Sequence, residues 1–122
     1  MAVNLKLRTR TAGKRRDLAP AFAASVFAAL GDETRLSLVT KLAGGEPRSI
    51  SQLAEGTAIT RQAVTKHLRV LESVGVVRSL KAGRENLFEL DPDPIEDLQA
   101  YLNLVSQQWD QALVRLKNFV EE

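Results

Sequence analysis

Residues 60–75 separate their apolar and polar positions at helical spacing. Apolar residues at steps of four and three predict a helix whose buried side is formed by Val64, Leu68 and Leu71. The opposite side carries amide, cationic and hydroxyl groups, contributed by Gln62, Lys66, Arg69 and Ser73. Such groups can hydrogen-bond base edges in a DNA major groove and the phosphates beside it. The pattern therefore predicts a helix suited to DNA recognition.

Two further helices are predicted before this segment. The first begins near Pro20, which suits the first turn of a helix, and ends at Gly31. The second begins after Asp32, whose carboxylate can accept hydrogen bonds from the unpaired N–H groups of a first turn. Apolar residues recur at helical spacing in both segments, and Gly44 and Gly45 end the second.

A short helix over residues 50–55 is predicted next, capped by the hydroxyl of Ser49 or Ser51. Residues 56–59 form a turn, so this helix and the one capped by Thr60 make a helix-turn-helix. After Gly75 the pattern alternates, and residues 76–81 and 85–90 predict two strands around a basic turn at 82–84. The predicted fold is mainly α with a small β-hairpin, in the order α-α-α-α-β-β-α.

Residues 92–120 carry an apolar stripe over about seven turns of helix. A small core can cover only part of so long a stripe, so we expect the rest, together with the first helix, to pack against a second copy of the chain. The alternative is that the helix only covers the core of its own chain. The residues expected at a dimer interface are Phe22, Val26, Leu98, Leu102, Val105, Trp109, Leu113 and Leu116.

The composition fits a single globular domain, with 122 residues of which 44% are hydrophobic and 26% charged. Residues 1–18 hold six cations and one carboxylate without an apolar period, so we expect a flexible basic arm before a domain over 19–122. Residues 91–122 hold two cations and seven carboxylates. The cations thus accompany the predicted recognition helix, where counterion release favours DNA binding. We expect a cytoplasmic protein that does not contact membranes.

The sequence offers little for catalysis or metal binding. It has no cysteine, a single histidine and no glycine-rich phosphate loop, so we predict that it is not an enzyme and has no cofactor. His67 is expected to form a backbone or phosphate hydrogen bond rather than to act as a pH switch, and Trp109 to pack in a dimer rather than to line an effector pocket. A cluster of carboxylates suits the N-terminus of the last helix better than a cation site: Asp91, Asp93, Glu96 and Asp97.

An ordered set of short motifs resembles the ArsR/SmtB family of bacterial winged-helix repressors. The motifs are Leu30-Gly-Asp-Glu-Thr-Arg-Leu36, Leu53-Ala54, Val64-Thr-Lys-His-Leu68 with Leu71, Gly75 and Val77, and Gly83-Arg84 in the hairpin. The resemblance extends over residues 19–120. It implies a homodimeric repressor whose fourth helix enters the major groove and whose wing contacts the backbone or the minor groove. Family members that sense soft metals use cysteines or histidines that this sequence lacks, which excludes that signal.

The predicted function is therefore sequence-specific binding of a double-stranded, inverted-repeat operator by a homodimer. The alternative is a winged-helix module that only dimerises or binds another protein. An unknown small molecule or partner protein could act as the effector. The expected DNA-binding residues, with Gln62 and Arg69 at base edges and the last two in the wing, are Arg61, Gln62, Thr65, Lys66, Arg69, Lys81 and Arg84.

Overall fold

Five helices and a three-stranded antiparallel sheet make up the part of the chain that the computed structural model describes, residues 20–121. The expected basic arm, residues 1–18, lies outside the described residues. The element order confirms the predicted helix-turn-helix followed by a hairpin and a long helix. The elements are α1 (Pro20–Leu30), α2 (Glu33–Leu42), β1 (Arg48–Ser49), α3 (Ile50–Ala54), α4 (Arg61–Ser73), β2 (Val77–Ala82), β3 (Glu85–Leu90) and α5 (Pro92–Glu121).

Side-chain caps set where three of the helices begin. Asp32 Oδ2 accepts a hydrogen bond from the Arg35 backbone N–H at 3.0 Å, and the Thr60 hydroxyl accepts one from the Ala63 N–H at 3.1 Å. Of the two serines that could cap α3, the structure selects Ser49, whose hydroxyl accepts from the Gln52 N–H at 3.1 Å. The Gln52 side chain in turn accepts from the Ser49 N–H at 2.8 Å, which completes a capping box.

The sheet contains one strand more than the sequence pattern predicted. β3 lies in the middle, paired with β2 in the predicted hairpin and with the short strand β1 on its other edge. Ser49 pairs with Leu87, so the residue that caps α3 also belongs to the sheet. A strand of two residues is too short for a periodic signal, which explains why it was missed. The hairpin turn is also tighter than predicted, because Ala82 pairs with Glu85.

The core forms around the apolar side of α4. Val64, Leu68 and Leu71 are each 0% exposed, which confirms the predicted buried stripe of the recognition helix. Their fully buried neighbours in the core come from α1, α2, α3 and the segment from Val76 through the hairpin. The largest of these neighbours are Leu42, Leu53 and Phe88.

Two residues expected at a dimer interface belong to this core instead. Val26 of α1 is 0% exposed and Leu98 of α5 is 5% exposed within the single chain. Their assignment to the interface was wrong, because α1 packs on α2 and α4 and the beginning of α5 packs on α1. Helical periodicity finds an apolar stripe, but it does not tell which part of the stripe covers the chain's own core.

The last helix extends well beyond the core. α5 has 30 residues and is therefore about 45 Å long. Only its first turns are buried, and large apolar side chains are exposed further along, at Leu102, Leu104, Trp109, Leu113, Val114, Leu116, Phe119 and Val120. None of the helices within residues 20–121 is long and apolar enough to cross a membrane.

The Ser49 capping box predicts a measurable loss of stability when its hydroxyl is removed. Ser49→Ala leaves the N–H groups of the first turn of α3 without their acceptor and should lower the free energy of unfolding by about 1 kcal/mol. Urea denaturation at one fixed protein concentration measures this change. Ser51→Ala, two residues further along the same helix and exposed, is the matched control and should lower stability little. Equal losses in the two variants would contradict the assignment of the cap.

Candidate nucleic-acid interface

The outer face of α4 carries most of the residues expected to contact DNA. Arg61, Gln62, Lys66 and Arg69 are exposed on this helix, opposite its buried stripe. Thr65 is half-buried, and its hydroxyl donates to the Arg61 carbonyl at 2.9 Å, which leaves the hydroxyl oxygen free to accept. The structure thus brings five of the predicted residues together on one surface, which we call the recognition face: Arg61, Gln62, Thr65, Lys66 and Arg69.

The recognition face borders a shallow groove between the two helices of the helix-turn-helix. Arg61, Gln62 and Thr65 line this groove with Ile50 of α3. Amide and guanidinium groups at its edge can each form two hydrogen bonds with a single base edge. The groove therefore places the amide of Gln62 and the guanidinium of Arg61 beside the first helix of the motif.

Arg69 is held by an acidic residue in the free protein. Its guanidinium forms an ion pair with Glu72 at 3.0 Å, and the hydroxyl of Ser79 in β2 donates to the other carboxylate oxygen at 3.1 Å. Glu72 thus links the recognition face to the wing. An exposed pair of this kind contributes about 0–1 kcal/mol, so DNA can displace Glu72 at little cost.

The two cations predicted for the wing lie on its surface. Lys81 lies in β2 and Arg84 in the turn of the hairpin, and both are exposed. Gly83 between them has a φ of +65°, a conformation that residues with a Cβ rarely adopt, which explains a glycine at the tip.

Arg78, a third wing cation, is engaged by carboxylates. Its Nε donates to Glu89 at 2.7 Å across the hairpin, and Asp91 Oδ2 lies 3.7 Å from its terminal NH1 nitrogen. The hydrogen bond to Glu89 raises the pKa of Arg78 above its ordinary value. Arg78 therefore braces the base of the wing, whereas Lys81 and Arg84 remain available for DNA.

His67 sits at the edge of the recognition face and contacts side chains from the α1–α2 region. Its Nδ1 lies 3.2 Å from the Arg35 guanidinium and 3.8 Å from Asp32 Oδ2. His67 thus contacts side chains, where a backbone hydrogen bond was one of the expectations. The hydrogen bond from the Arg35 N–H, aided by the charge of the Arg35 guanidinium, lowers the pKa of Asp32 below its usual value. Arg35 was missed from sequence, since nothing in the pattern links residues 32 positions apart.

One acidic residue near the start of α5 accepts a hydrogen bond from the backbone of its first turn. The Asp91 carboxylate accepts a hydrogen bond from the Asp93 N–H at 3.1 Å, as expected for negative charge at a helix N-terminus. Within residues 20–121, no three His, Cys, Asp or Glu side chains come close enough together to hold a metal ion.

The expected dimer residues that are not in the core differ in their exposure. Phe22 of α1 and Val105 of α5 are half-buried. The remaining four are about half exposed or more, with Leu102 at 50%, Trp109 at 65%, Leu113 at 55% and Leu116 at 57%.

A helix-turn-helix with an exposed recognition face and a basic hairpin defines a winged-helix DNA-binding protein. Residues 30–79 match the helix-turn-helix domain family. The chain is 32% identical over 93 residues to the HTH-type transcriptional regulator Rv2034 of Mycobacterium tuberculosis, an alignment that covers 76% of this chain and 83% of that protein.

Solved structures agree with the sequence relatives. An ArsR-like transcriptional regulator from Rhodococcus sp. RHA1 is 38% identical with a TM-score of 0.73, and the match covers 81% of this chain and 92% of that one. A homodimeric winged helix-turn-helix DNA-binding domain from Mycobacterium bovis has the same fold at 22% identity and a TM-score of 0.55, covering 84% and 88% of the two chains. The chain belongs to the ArsR family of helix-turn-helix transcriptional regulators. This confirms the predicted family and the prediction that the protein is not an enzyme.

The contact between Arg69 and Glu72 predicts that neutralising Glu72 strengthens DNA binding. Glu72→Gln frees the Arg69 guanidinium for a phosphate or a base, so affinity for duplex DNA should rise. The logarithmic salt dependence should steepen by about one counterion. Fluorescence anisotropy with a labelled duplex at several salt concentrations measures both changes. Glu121→Gln removes the same charge from the end of α5 and is the control, and an equal effect of the two substitutions would contradict the local role of Glu72.

Proposed function

We propose that this regulator is a homodimeric repressor that binds an inverted-repeat operator through the recognition face of α4. The observation that carries the proposal is the division of α4 into a fully buried apolar stripe and an exposed polar face. Burial fixes the rotation of the helix, so the polar side chains project away from the core, where a major groove can accept them. The repressor role follows from the family resemblance and from the competition between a bound dimer and transcription at an operator.

The side chains on this face divide into two groups by chemistry. Gln62 and Arg69 carry the planar amide and guanidinium groups that form paired hydrogen bonds with adenine and guanine. Lys66, Thr65 and Arg61 suit phosphates and orient the helix in the groove. The wing cations Lys81 and Arg84 extend the contact to the neighbouring backbone or minor groove.

The exposed stripe of α5 supports the homodimer. Six apolar residues follow one another at steps of three and four along the part of α5 that extends beyond the core: Leu102, Val105, Trp109, Leu113, Leu116 and Val120. Exposure of so long an apolar surface to water is unfavourable. Pairing with a second copy would remove the stripe from water and place an interface on the order of 2,000 Å² in the obligate class. A twofold dimer presents two recognition faces to half-sites about one helical turn apart, or a multiple of it.

The signal that controls the repressor is not a soft metal. The sequence has no cysteine, and its one histidine is already engaged by Arg35. A small organic molecule or a partner protein that alters the angle between the two halves of the dimer would change the spacing of the recognition faces. Because an operator lies on the chromosome, we place the protein in the cytoplasm.

A protein-interaction module is the second candidate, because winged helices also bind proteins and the exposed apolar stripe would suit such a partner. Gel-shift titration against a random duplex pool, followed by sequencing of the bound fraction, separates the candidates. A repressor selects an inverted repeat, and its binding weakens as salt rises. Absence of any shift at low salt would favour the interaction module.

The two groups of DNA-binding residues predict different mutant behaviour. Gln62→Ala should relax preference at particular base pairs of the selected operator, with a loss of about 1–3 kcal/mol for that sequence. Arg84→Ala should weaken binding to operator and random duplexes alike, because a backbone contact carries no sequence information. Anisotropy titrations with both duplexes measure the ratio of affinities. The division of roles fails if both variants lose equal affinity for operator and random DNA.

The α5 interface predicts dissociation when a charge is placed on its stripe. Leu113→Glu should yield single chains in sedimentation equilibrium at micromolar concentration, because the carboxylate would be buried without a partner charge. Gln111→Glu, exposed two residues earlier and on the opposite side of the helix, adds the same charge and should leave the dimer intact. Single chains in the unmodified protein, or dimers in both variants, would contradict the interface.

A further inference from the structure

One side chain, Arg35 of α2, joins three helices at the edge of the recognition face. Its Nε donates to the carbonyl of Ala29 in the last turn of α1, where helix carbonyls lack partners within the helix. Its terminal NH1 nitrogen reaches His67 Nδ1 of α4 at 3.2 Å. The guanidinium therefore ties the end of α1 and the middle of the recognition helix to α2.

The chemistry of the Arg35 guanidinium and the His67 imidazole fixes the tautomer of the histidine. A guanidinium has only donors and does not deprotonate in proteins, so the bond requires Nδ1 to accept. An imidazole that accepts at Nδ1 is neutral and carries its proton on Nε2. Asp32 Oδ2, at 3.8 Å, is the competing partner, and it would be favoured only by a proton on Nδ1.

The other ring nitrogen of His67, Nε2, is available to donate a hydrogen bond. No residue within 20–121 forms a hydrogen bond with His67 Nε2. Because Nε2 is also not one of the buried polar atoms that lack a partner, this nitrogen is exposed to solvent. The His67 side chain keeps a relative exposure of 25%. Nε2–H is therefore an accessible donor on the recognition helix, beside the exposed residue Lys66.

We propose that Arg35 is a positioning residue for DNA recognition: it fixes the place of α4 by donating to His67 Nδ1, and so presents His67 Nε2–H as a donor to a DNA phosphate. The proposal rests on DNA binding through α4, and it does not depend on the repressor role, the operator symmetry or the dimer. A neutral donor suits this place, because a phosphate oxygen accepts a hydrogen bond without requiring a further charge.

The histidine itself gives the first test, which needs no substitution and no DNA. Because the sequence has a single histidine, ¹⁵N labelling of histidine gives one unambiguous pair of ring signals in the whole chain. Near neutral pH, the expected result is an unprotonated Nδ1 and a protonated Nε2. A proton on Nδ1, or on both nitrogens, would overturn the proposal.

Two histidine variants then separate the two bonds of the ring. His67→Asn places an amide oxygen near the position of Nδ1 and removes the outer donor, whereas His67→Gln places an amide N–H near Nε2 and removes the inner acceptor. Arg35→Met, which keeps a similar stem without donors, is combined with each of them. The probe is the duplex selected by the unmodified protein, with affinity measured by anisotropy and folding checked by circular dichroism.

The expected couplings differ between the two backgrounds. Arg35→Met should weaken binding about tenfold in the unmodified chain and by a smaller factor in the His67→Asn background, where its acceptor persists but the outer donor is already lost. It should add little in the His67→Gln background, where the bond is already lost. An equal loss in every background would assign Arg35 only to the end of α1 and overturn the proposal, as would no loss in any. Failure of the unmodified protein to bind any duplex would instead count against DNA binding through α4.

Discussion

The burial of one side of α4 sets the orientation of the recognition face. Each fully buried aliphatic side chain contributes about 1.5–3 kcal/mol, and Val64, Leu68 and Leu71 are all 0% exposed. A surface pair such as Arg69 with Glu72 contributes about 0–1 kcal/mol. The apolar stripe therefore decides how the helix is rotated, and the polar contacts only adjust it. A rotation by about half a turn would expose the stripe and bury the recognition face.

The remaining elements support that orientation from several sides. Thr60 caps the start of α4. Near the end of α4, Glu72 accepts a hydrogen bond from the Ser79 hydroxyl of the wing. On the opposite flank, Arg35 connects the middle of the helix to α1 and α2. Rigid support of this kind matters for recognition, because bidentate hydrogen bonds to bases tolerate little displacement.

Much of this arrangement is predictable from sequence, because burial repeats with the helical period and caps have local signatures. The stripe of α4, the caps at Asp32 and Thr60 and the hairpin were all predicted in this way. Long-range features were not: β1 is too short to show a period, and the contact of Arg35 with His67 joins distant residues. Val26 and Leu98 were assigned to the interface because helical periodicity does not distinguish apolar residues that cover the chain's own core from those that face a second copy. By contrast, the bond between Arg69 and Glu72 has the i, i+3 spacing that sequence alone could have suggested.

Tethered DNA cleavage tests whether the polar side of α4 faces DNA. Because the sequence has no cysteine, a single cysteine can carry an iron chelate that cuts DNA only near its attachment point. From Gln62→Cys, we expect cuts confined to bases around one major groove in each half-site of the selected operator. From Phe119→Cys at the far end of α5, we expect none. Cuts from the α5 position, or cuts from Gln62→Cys spread evenly along the duplex, would show that α4 does not enter the major groove.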